Sequence, residues 1–423
     1  MSAPSGPELM PRARHRQVAA DGVRFSLYRA DPRRRRRTTP TLLLHGVPQT
    51  AVCWRDLLTE LAGDRIVLAP DLKGLGGSEA AGCYDVPTLV RELTALVLHE
   101  VDGPVDVVGH DWGGALALGL AGARPELVRR LVVVNAPYRH LNLLRAFHVP
   151  LFALPLLPEA AFALGRRSLP AVMLRAGWKA STPLDGDVAR HYVDAYADPA
   201  RVRAMLAYYR ASSRRGLWSK LPGTQRRGNG SSAGLPLVRA ERHLVVWGAR
   251  DPVLPLSVGE SVVRDLGPET TFVTVPEAGH FVIEEAPSVV VPVIAGFLRD
   301  GVGPTSRPPK SAAPKAAAAG VRRTPGRRST SQPRISSASP DGPALGPTTG
   351  RCVMAPSSAP PARRRSDDRV ELAVYAFAAV SLVVLGVIFQ TPVLNWIVGP
   401  AYIVTVVTVG TPLALRVREF ARR

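Results

Sequence analysis

At 423 residues the chain is too long for one ordinary core, and its 46% apolar composition is expected to fill one large domain with additional segments beside it. The formal charge of +20 is concentrated locally: residues 301–369 hold 13 Lys and Arg against 3 Asp, without interleaved aromatics, so nucleic acid is not an expected partner and anionic lipid is favoured over it. Three cysteines at unrelated positions, Cys53, Cys83 and Cys352, argue against a disulfide framework and against a zinc site, and neither metal nor cofactor is expected.

Residues 1–15 are polar and basic with no apolar run after Met1, so they read as a flexible terminus and not as a secretory signal. Residues 16–137 alternate short β-branched runs with helical stretches. Strands are predicted at Thr41 to His45, Ile66 to Ala69, Val105 to Gly109 and Leu131 to Asn135, and helices from about Val86 and Gly113; Arg33 to Arg37 read as a solvated loop between two strands. From 138 to 233 that rhythm breaks into a helical stretch carrying Phe, Leu, Trp and Tyr, as an inserted cap would. It resumes over 234–300 with strands at His243 to Trp247 and Thr271 to Val275 and a helix near Ala286. The alternation predicts an α/β fold with a mostly parallel sheet covered by helices.

Beyond 300 the composition changes twice. Residues 301–369 are rich in Pro, Ser, Ala and Arg and read as a disordered linker. Leu372 to Phe389 and Trp396 to Leu415 are 18 and 20 residues without a charge, each long enough to cross about 30 Å of hydrocarbon, and Pro392 lies in the short connection. Residues 370–415 therefore read as a transmembrane helical hairpin in contact with membrane lipid, followed by a basic tail at 416–423. Arginines flank both outer ends, which predicts that both ends, and the large domain with them, face the cytoplasm at an inner or plasma membrane.

The chemistry-bearing segments fall at predicted strand ends. Between the buried run VDVVG and the small-residue helix GGALALGLAGA stands Gly109-His110-Asp111-Trp112-Gly113-Gly114. A nucleophile elbow needs small residues two positions before and after its centre, and Gly109 and Gly113 supply them. The central residue is Asp111, which points to an alkyl ester of a carboxylate as the covalent intermediate; the competing reading makes Asp111 a helix N-cap. His45-Gly46-Val47-Pro48 follows the strand TLLL, where the Val47 amide, with that of Trp112, would form an oxyanion hole. Asp251 in GARDP and His280 in GHF follow two further strands, in the chain order nucleophile, acid, histidine.

Together HGVP, DLKGLGGS, GHDWGG, GARDP and GHF resemble the α/β-hydrolase superfamily over roughly residues 16–299, and within it the epoxide hydrolases and haloalkane dehalogenases. The resemblance implies that Asp111 attacks a substrate carbon and that His280, oriented by Asp251, activates water against the resulting ester. It also implies proton donors in the cap. Tyr209 in LAYYR matches one family tyrosine, with its neighbour Tyr208 pointing elsewhere; His148 occupies the position of the other, and Tyr138 or Tyr192 could stand in. His45, Trp112 and His148 are expected to line the substrate site.

The epoxide branch, with a small apolar epoxide and water as reactants, is favoured over haloalkane or haloacid dehalogenation, because Val47 stands where many dehalogenases carry a halide-binding Asn and Trp112 stands where fluoroacetate dehalogenases carry Arg. The remaining alternative is a membrane-anchored, non-catalytic binding module, against which the set Asp111, Asp251 and His280 argues.

Overall fold

The computed structural model describes residues 4–32, 38–138, 145–146, 148–213 and 240–300. A single turn of helix, α1 (Gly6–Leu9), precedes β1 (Arg14–Ala20) and β2 (Val23–Ala30). Those two strands form an antiparallel hairpin whose turn residues Asp21 and Gly22 both have positive φ, the handedness that matches the twist of the paired strands. Then follow β3 (Thr41–Leu44), α2 (Arg55–Leu61), β4 (Val67–Pro70), α3 (Val86–Glu100), β5 (Val105–His110), α4 (Trp112–Ala123) and β6 (Val128–Val134). Five helices come next: α5 (His148–Ala153), α6 (Leu157–Gly165), α7 (Ser168–Gly177), α8 (Gly186–Ala195) and α9 (Pro199–Ser213). The described chain ends with β7 (Arg242–Gly248), α10 (Leu256–Leu266), β8 (Thr270–Val275), α11 (Val282–Glu285) and α12 (Pro287–Asp300).

The eight strands form one sheet in the order β1-β2-β4-β3-β5-β6-β7-β8, antiparallel on either side of β2 and parallel from β4 to β8. Burial of both faces accounts for the nearly unbroken apolar runs of the central strands. Successive residues of each strand feed opposite layers: Leu42, Leu44, Val107, Leu131, Val133, Val245 and Trp247 pack in one, and Leu43, Val108, Val132, Val134, Leu244 and Val246 in the other. Helix α3 shows how the covering helices are specified. The Asp85 side chain caps its first turn by accepting from the Thr88 amide, and Val86, Leu89, Val90, Leu93, Leu96 and Val97 form the buried stripe. Asp106 of β5 is held by a two-pronged contact from Arg129 of β6 at 2.9 and 2.8 Å.

Some boundaries differ from the sequence expectations. Asn135 lies outside β6, because its φ of 34° takes the chain out of extended conformation. The helix expected to start near Ala286 is α12, and a separate single turn, α11, precedes it. Cys53 is a buried free thiol. The expected linker, the hairpin at 370–415 and the basic tail lie outside the described residues, as does the loop Arg33 to Arg37. Among the described residues no helix is long and apolar enough to cross a membrane.

Candidate active site

Five residues converge from the carboxyl ends of neighbouring parallel strands: Val47 after β3, Asp111 after β5, Asn135 after β6, Asp251 after β7 and His280 after β8. This is the edge at which an open parallel sheet leaves a crevice.

The turn carrying Asp111 is tight. Asp111 has φ 48° and ψ −121°, a conformation costly for a residue with a side chain. The surrounding glycines make it sterically possible. A Cβ on Gly109 would fall 2.3 Å from the Gly113 carbonyl oxygen, one on Gly113 would fall 2.1 Å from that of Leu44, and one on Gly46 would fall 2.4 Å from the Asp111 Cβ. Although Asp111 occupies the N-cap position of α4, its side chain makes no capping hydrogen bond to the helix. The carboxylate instead points into the crevice, where the Val47 amide donates to Oδ2 at 2.9 Å and the adjacent Trp112 amide favours its charged form. Oδ1 faces His280 Nε2 at 3.9 Å.

His280 is aligned from two sides. Its Nδ1 lies 2.8 Å from Asp251 Oδ2, and its backbone carbonyl lies 2.9 Å from the Nε2 of His110. The ring of His110 also packs against that of His280, with centroids 5.1 Å apart. Burial and the neighbouring His280 push the His110 imidazole down to about 3, so it is neutral and its Nε2 proton is free to hold the His280 carbonyl. Asp251 accepts from the amides of Val253 and Leu254 through Oδ1, at 2.8 and 2.9 Å, and from Asn135 Nδ2 through Oδ2 at 2.7 Å. The Asn135 Oδ1 in turn accepts from the Gly248 amide at 2.9 Å.

The electrostatics follow from these contacts. Burial raises the Asp111 carboxyl, against the opposing pull of His280 and the two amides. Burial also disfavours a charged His280, but Asp251 and then Asp111 outweigh it and lift the imidazole to about 9. Asp251 is itself held below its usual range: His280, the Leu254 amide and Asn135 overcome the cost of its burial.

The helices inserted between β6 and β7 close the crevice. Tyr209 of α9 is buried, its ring edge-on to Trp112 at 5.4 Å, to Phe152 at 5.2 Å and to His148 at 5.8 Å. Burial and the charge of Asp111 raise its hydroxyl well above the usual tyrosine range, and the Trp112 side chain opposes this by donating to it. His148 is pushed down to about 4 by burial and by His280, so it is a neutral donor beside Tyr209. Tyr208 points away, its hydroxyl donating to the Lys73 carbonyl at 2.9 Å.

Three expected residues do not face the site. His45 is fully buried, with Nδ1 2.9 Å from the Gly46 carbonyl and Nε2 accepting from the Leu72 amide at 2.9 Å, so both ring nitrogens brace the loop and neither reaches a substrate. Tyr138 donates to Asp265 on α10, and Tyr192 donates to Glu284 at 3.1 Å, so the hydroxyl of each is directed to a carboxylate outside the crevice. The sequence reading in turn missed Asn135 and His110. Asn135 had one visible signal, a polar residue ending the apolar run LVVV; His110 had none beyond adjacency to Asp111.

Residues 41–293 match the alpha/beta hydrolase family. The chain belongs to this family. Among its relatives, the AB hydrolase superfamily protein YfhM of Bacillus subtilis is 28% identical over 284 residues, covering 61% of this chain and 90% of the relative. Epoxide hydrolase 3 of Xenopus tropicalis is 26% identical over 300 residues, covering 66% and 76%. In three dimensions the α/β-hydrolase domain is similar to the epoxide hydrolase CorEH, with a TM-score of 0.54 and 24% identity over 68% of this chain and 98% of that one. An epoxide hydrolase-like member of the family is thus what the chain resembles in sequence, and the α/β-hydrolase fold is what it shares in structure.

Proposed function

We propose that this α/β hydrolase opens an epoxide to a vicinal diol through a covalent ester on Asp111. The observation that carries the proposal is the Val47 amide on Asp111's own Oδ2. In a serine hydrolase the oxyanion hole receives a substrate oxygen; a hole filled by the nucleophile's own carboxylate suits an ester whose carbonyl belongs to the enzyme. The names of relatives such as Epoxide hydrolase 3 support the same reading.

In the first step Oδ1, the oxygen left outside the hole, attacks an epoxide carbon as the carbon–oxygen bond breaks. The departing oxygen takes the Tyr209 proton. In the second step water gives a proton to His280 Nε2 and adds to the ester carbonyl carbon, while the negative Oδ2 stays against the Val47 and Trp112 amides. Collapse releases the diol, regenerates the Asp111 carboxylate and returns the protons to the leaving alkoxide and the Tyr209 phenolate. The charge balance suits this order. Esterification removes the Asp111 charge that helps to hold His280 protonated, and so turns His280 toward a base when a base is needed.

The test is a single turnover in heavy-oxygen water, which should place label in the Asp111 carboxylate; label found only in the diol overturns the covalent route. His280→Gln should accumulate the alkyl-enzyme, seen by intact mass. Tyr209→Phe should slow epoxides by about 10²–10⁴-fold and spare alkyl halides, whose leaving group needs no proton; equal losses on both would turn the reading toward dehalogenation. Attachment to a membrane through residues 370–415 is proposed from the sequence alone and is checked by fractionation: a chain ending at Gly301 should be soluble and active, and one that stays in the membrane pellet refutes it.

A further inference from the structure

We propose that Glu285 is a positioning residue for His280. Its carboxylate pins the loop that carries the histidine to the stretch of cap that ends α7, and so holds Nε2 in line for hydrolysis of the ester. The proposal rests on the epoxide reading above. Glu285 ends α11, shortly after His280 in the chain, and is half-buried. Its Oε2 accepts from the amides of Lys179, Ala180 and Gly279 at 2.7, 2.8 and 2.8 Å, and its Oε1 accepts from the Phe281 amide at 2.9 Å. The amide of His280 itself donates to the Gly177 carbonyl at 2.9 Å. Three successive amides of the histidine loop are thus engaged, those of Gly279 and Phe281 by Glu285 and that of His280 by the cap.

An ionised carboxylate offers about four acceptor sites, and bonds to it are roughly twice as strong as those between neutral groups. One side chain therefore joins stretches of chain 106 residues apart. The seam it closes is tight: a Cβ on Gly279 would fall 2.3 Å from the Gly177 oxygen, and one on Gly177 would fall 2.6 Å from the Phe281 ring. Asp251 aligns the His280 ring and His110 holds its carbonyl, but both belong to the sheet edge. Glu285 and the Gly177 carbonyl add the hold from the cap. The neighbouring Glu284 turns elsewhere, to Arg55, Gln49 and Tyr192. The two steps of the reaction need this hold unequally. Asp111 attacks without a proton from His280, whereas the second step requires Nε2, 3.9 Å from Asp111 Oδ1, to take a proton from water at the ester carbonyl. A displacement of about 1 Å in such an arrangement costs roughly 10²-fold. Loss of the clamp therefore falls on ester hydrolysis and spares alkylation.

The experiment compares wild type, Glu285→Gln and Glu285→Ala, each as the full chain, in two measurements. Glutamine keeps the shape and one oxygen acceptor, so it decides the matter if the alanine variant does not fold. In steady-state turnover of styrene oxide, kcat/KM, which reports alkylation of Asp111, is expected to stay within about threefold of wild type. The kcat, set by ester hydrolysis, is expected to fall roughly 10- to 100-fold, with alkyl-enzyme building up in the intact mass. An unchanged kcat, or equal falls in kcat and kcat/KM, overturns the proposal. Hydrogen exchange read by mass spectrometry needs no substrate. In Glu285→Gln, residues 177–181 and 279–282 are expected to lose protection together while β7 keeps its own. Loss in one segment alone, in neither, or across β7 as well overturns the proposal. If wild type never opens an epoxide, the epoxide reading fails, while the exchange arm still decides whether Glu285 pins the His280 loop to the cap.

Discussion

Replacement of Asn135 tests how the acid of the site is held. Its Nδ2 donates to Asp251 at 2.7 Å, its Oδ1 accepts from the Gly248 amide at 2.9 Å, and its φ is 34°. Asn135→Ala removes a bond to an ionised carboxylate, worth about 1.5–3 kcal/mol, and strands a buried amide at a cost of about 1–3 kcal/mol. Alanine at positive φ adds about 1 kcal/mol. The total, about 4–7 kcal/mol, is a large part of the stability of an ordinary domain, about 5–15 kcal/mol. Asn135→Gly loses the same bonds but tolerates the backbone, so it should be about 1 kcal/mol less damaging. Urea unfolding followed by circular dichroism reads both, with equal slopes required for the comparison. Two variants within about 1 kcal/mol of wild type would refute the assignment of Asn135 as the brace between β6 and β7, and equal losses in the two would refute the strain component.

Asp111→Asn should lower the His280 pKa from about 9 by removing a negative neighbour, as followed by imidazole proton resonances; an unmoved titration would separate the two residues electrostatically. Because the folded His280 value lies above its unfolded one, about 6.5, its stabilising contribution is complete below that pH and fades as pH rises toward about 9. The stability advantage of wild type over His280→Gln should shrink across that window, and an advantage that grows with pH would contradict the sign. Gly113→Ala should yield little folded protein, since the new Cβ meets the Leu44 and His45 carbonyl oxygens at 2.1 and 2.5 Å and both are backbone; a soluble variant with unchanged thermal stability would show that the elbow is looser than it looks. His110→Phe keeps the ring contact but loses the bond to the His280 carbonyl, so breakdown of the ester should slow about tenfold and the alkyl-enzyme should build up; absence of build-up would leave His110 with packing alone.

Much of this domain is legible from local pattern. Runs such as TLLL, VDVVG and LVVV are apolar on both faces because parallel strands are buried on both faces, and the glycines around Asp111 announce a turn in which backbone approaches backbone. Asp111, Asp251 and His280 could be singled out because each follows such a run. Whether a side chain beyond a strand end faces the crevice is decided by its rotamer and its neighbours, which no spacing encodes. His45 lies in the same loop as Val47, yet its ring turns inward to the Leu72 amide. Asn135 and His110 acquire their roles from partners 116 and 170 residues away in sequence. The cap shows the same division: the sequence places a tyrosine at 209, but only the tertiary packing separates Tyr209, edge-on to Trp112, from Tyr138, Tyr192 and Tyr208, whose hydroxyls are taken elsewhere. Patterns of burial and turns are local and sequence carries them, whereas the satisfaction of a buried polar atom depends on distant chain and is fixed only by the tertiary structure.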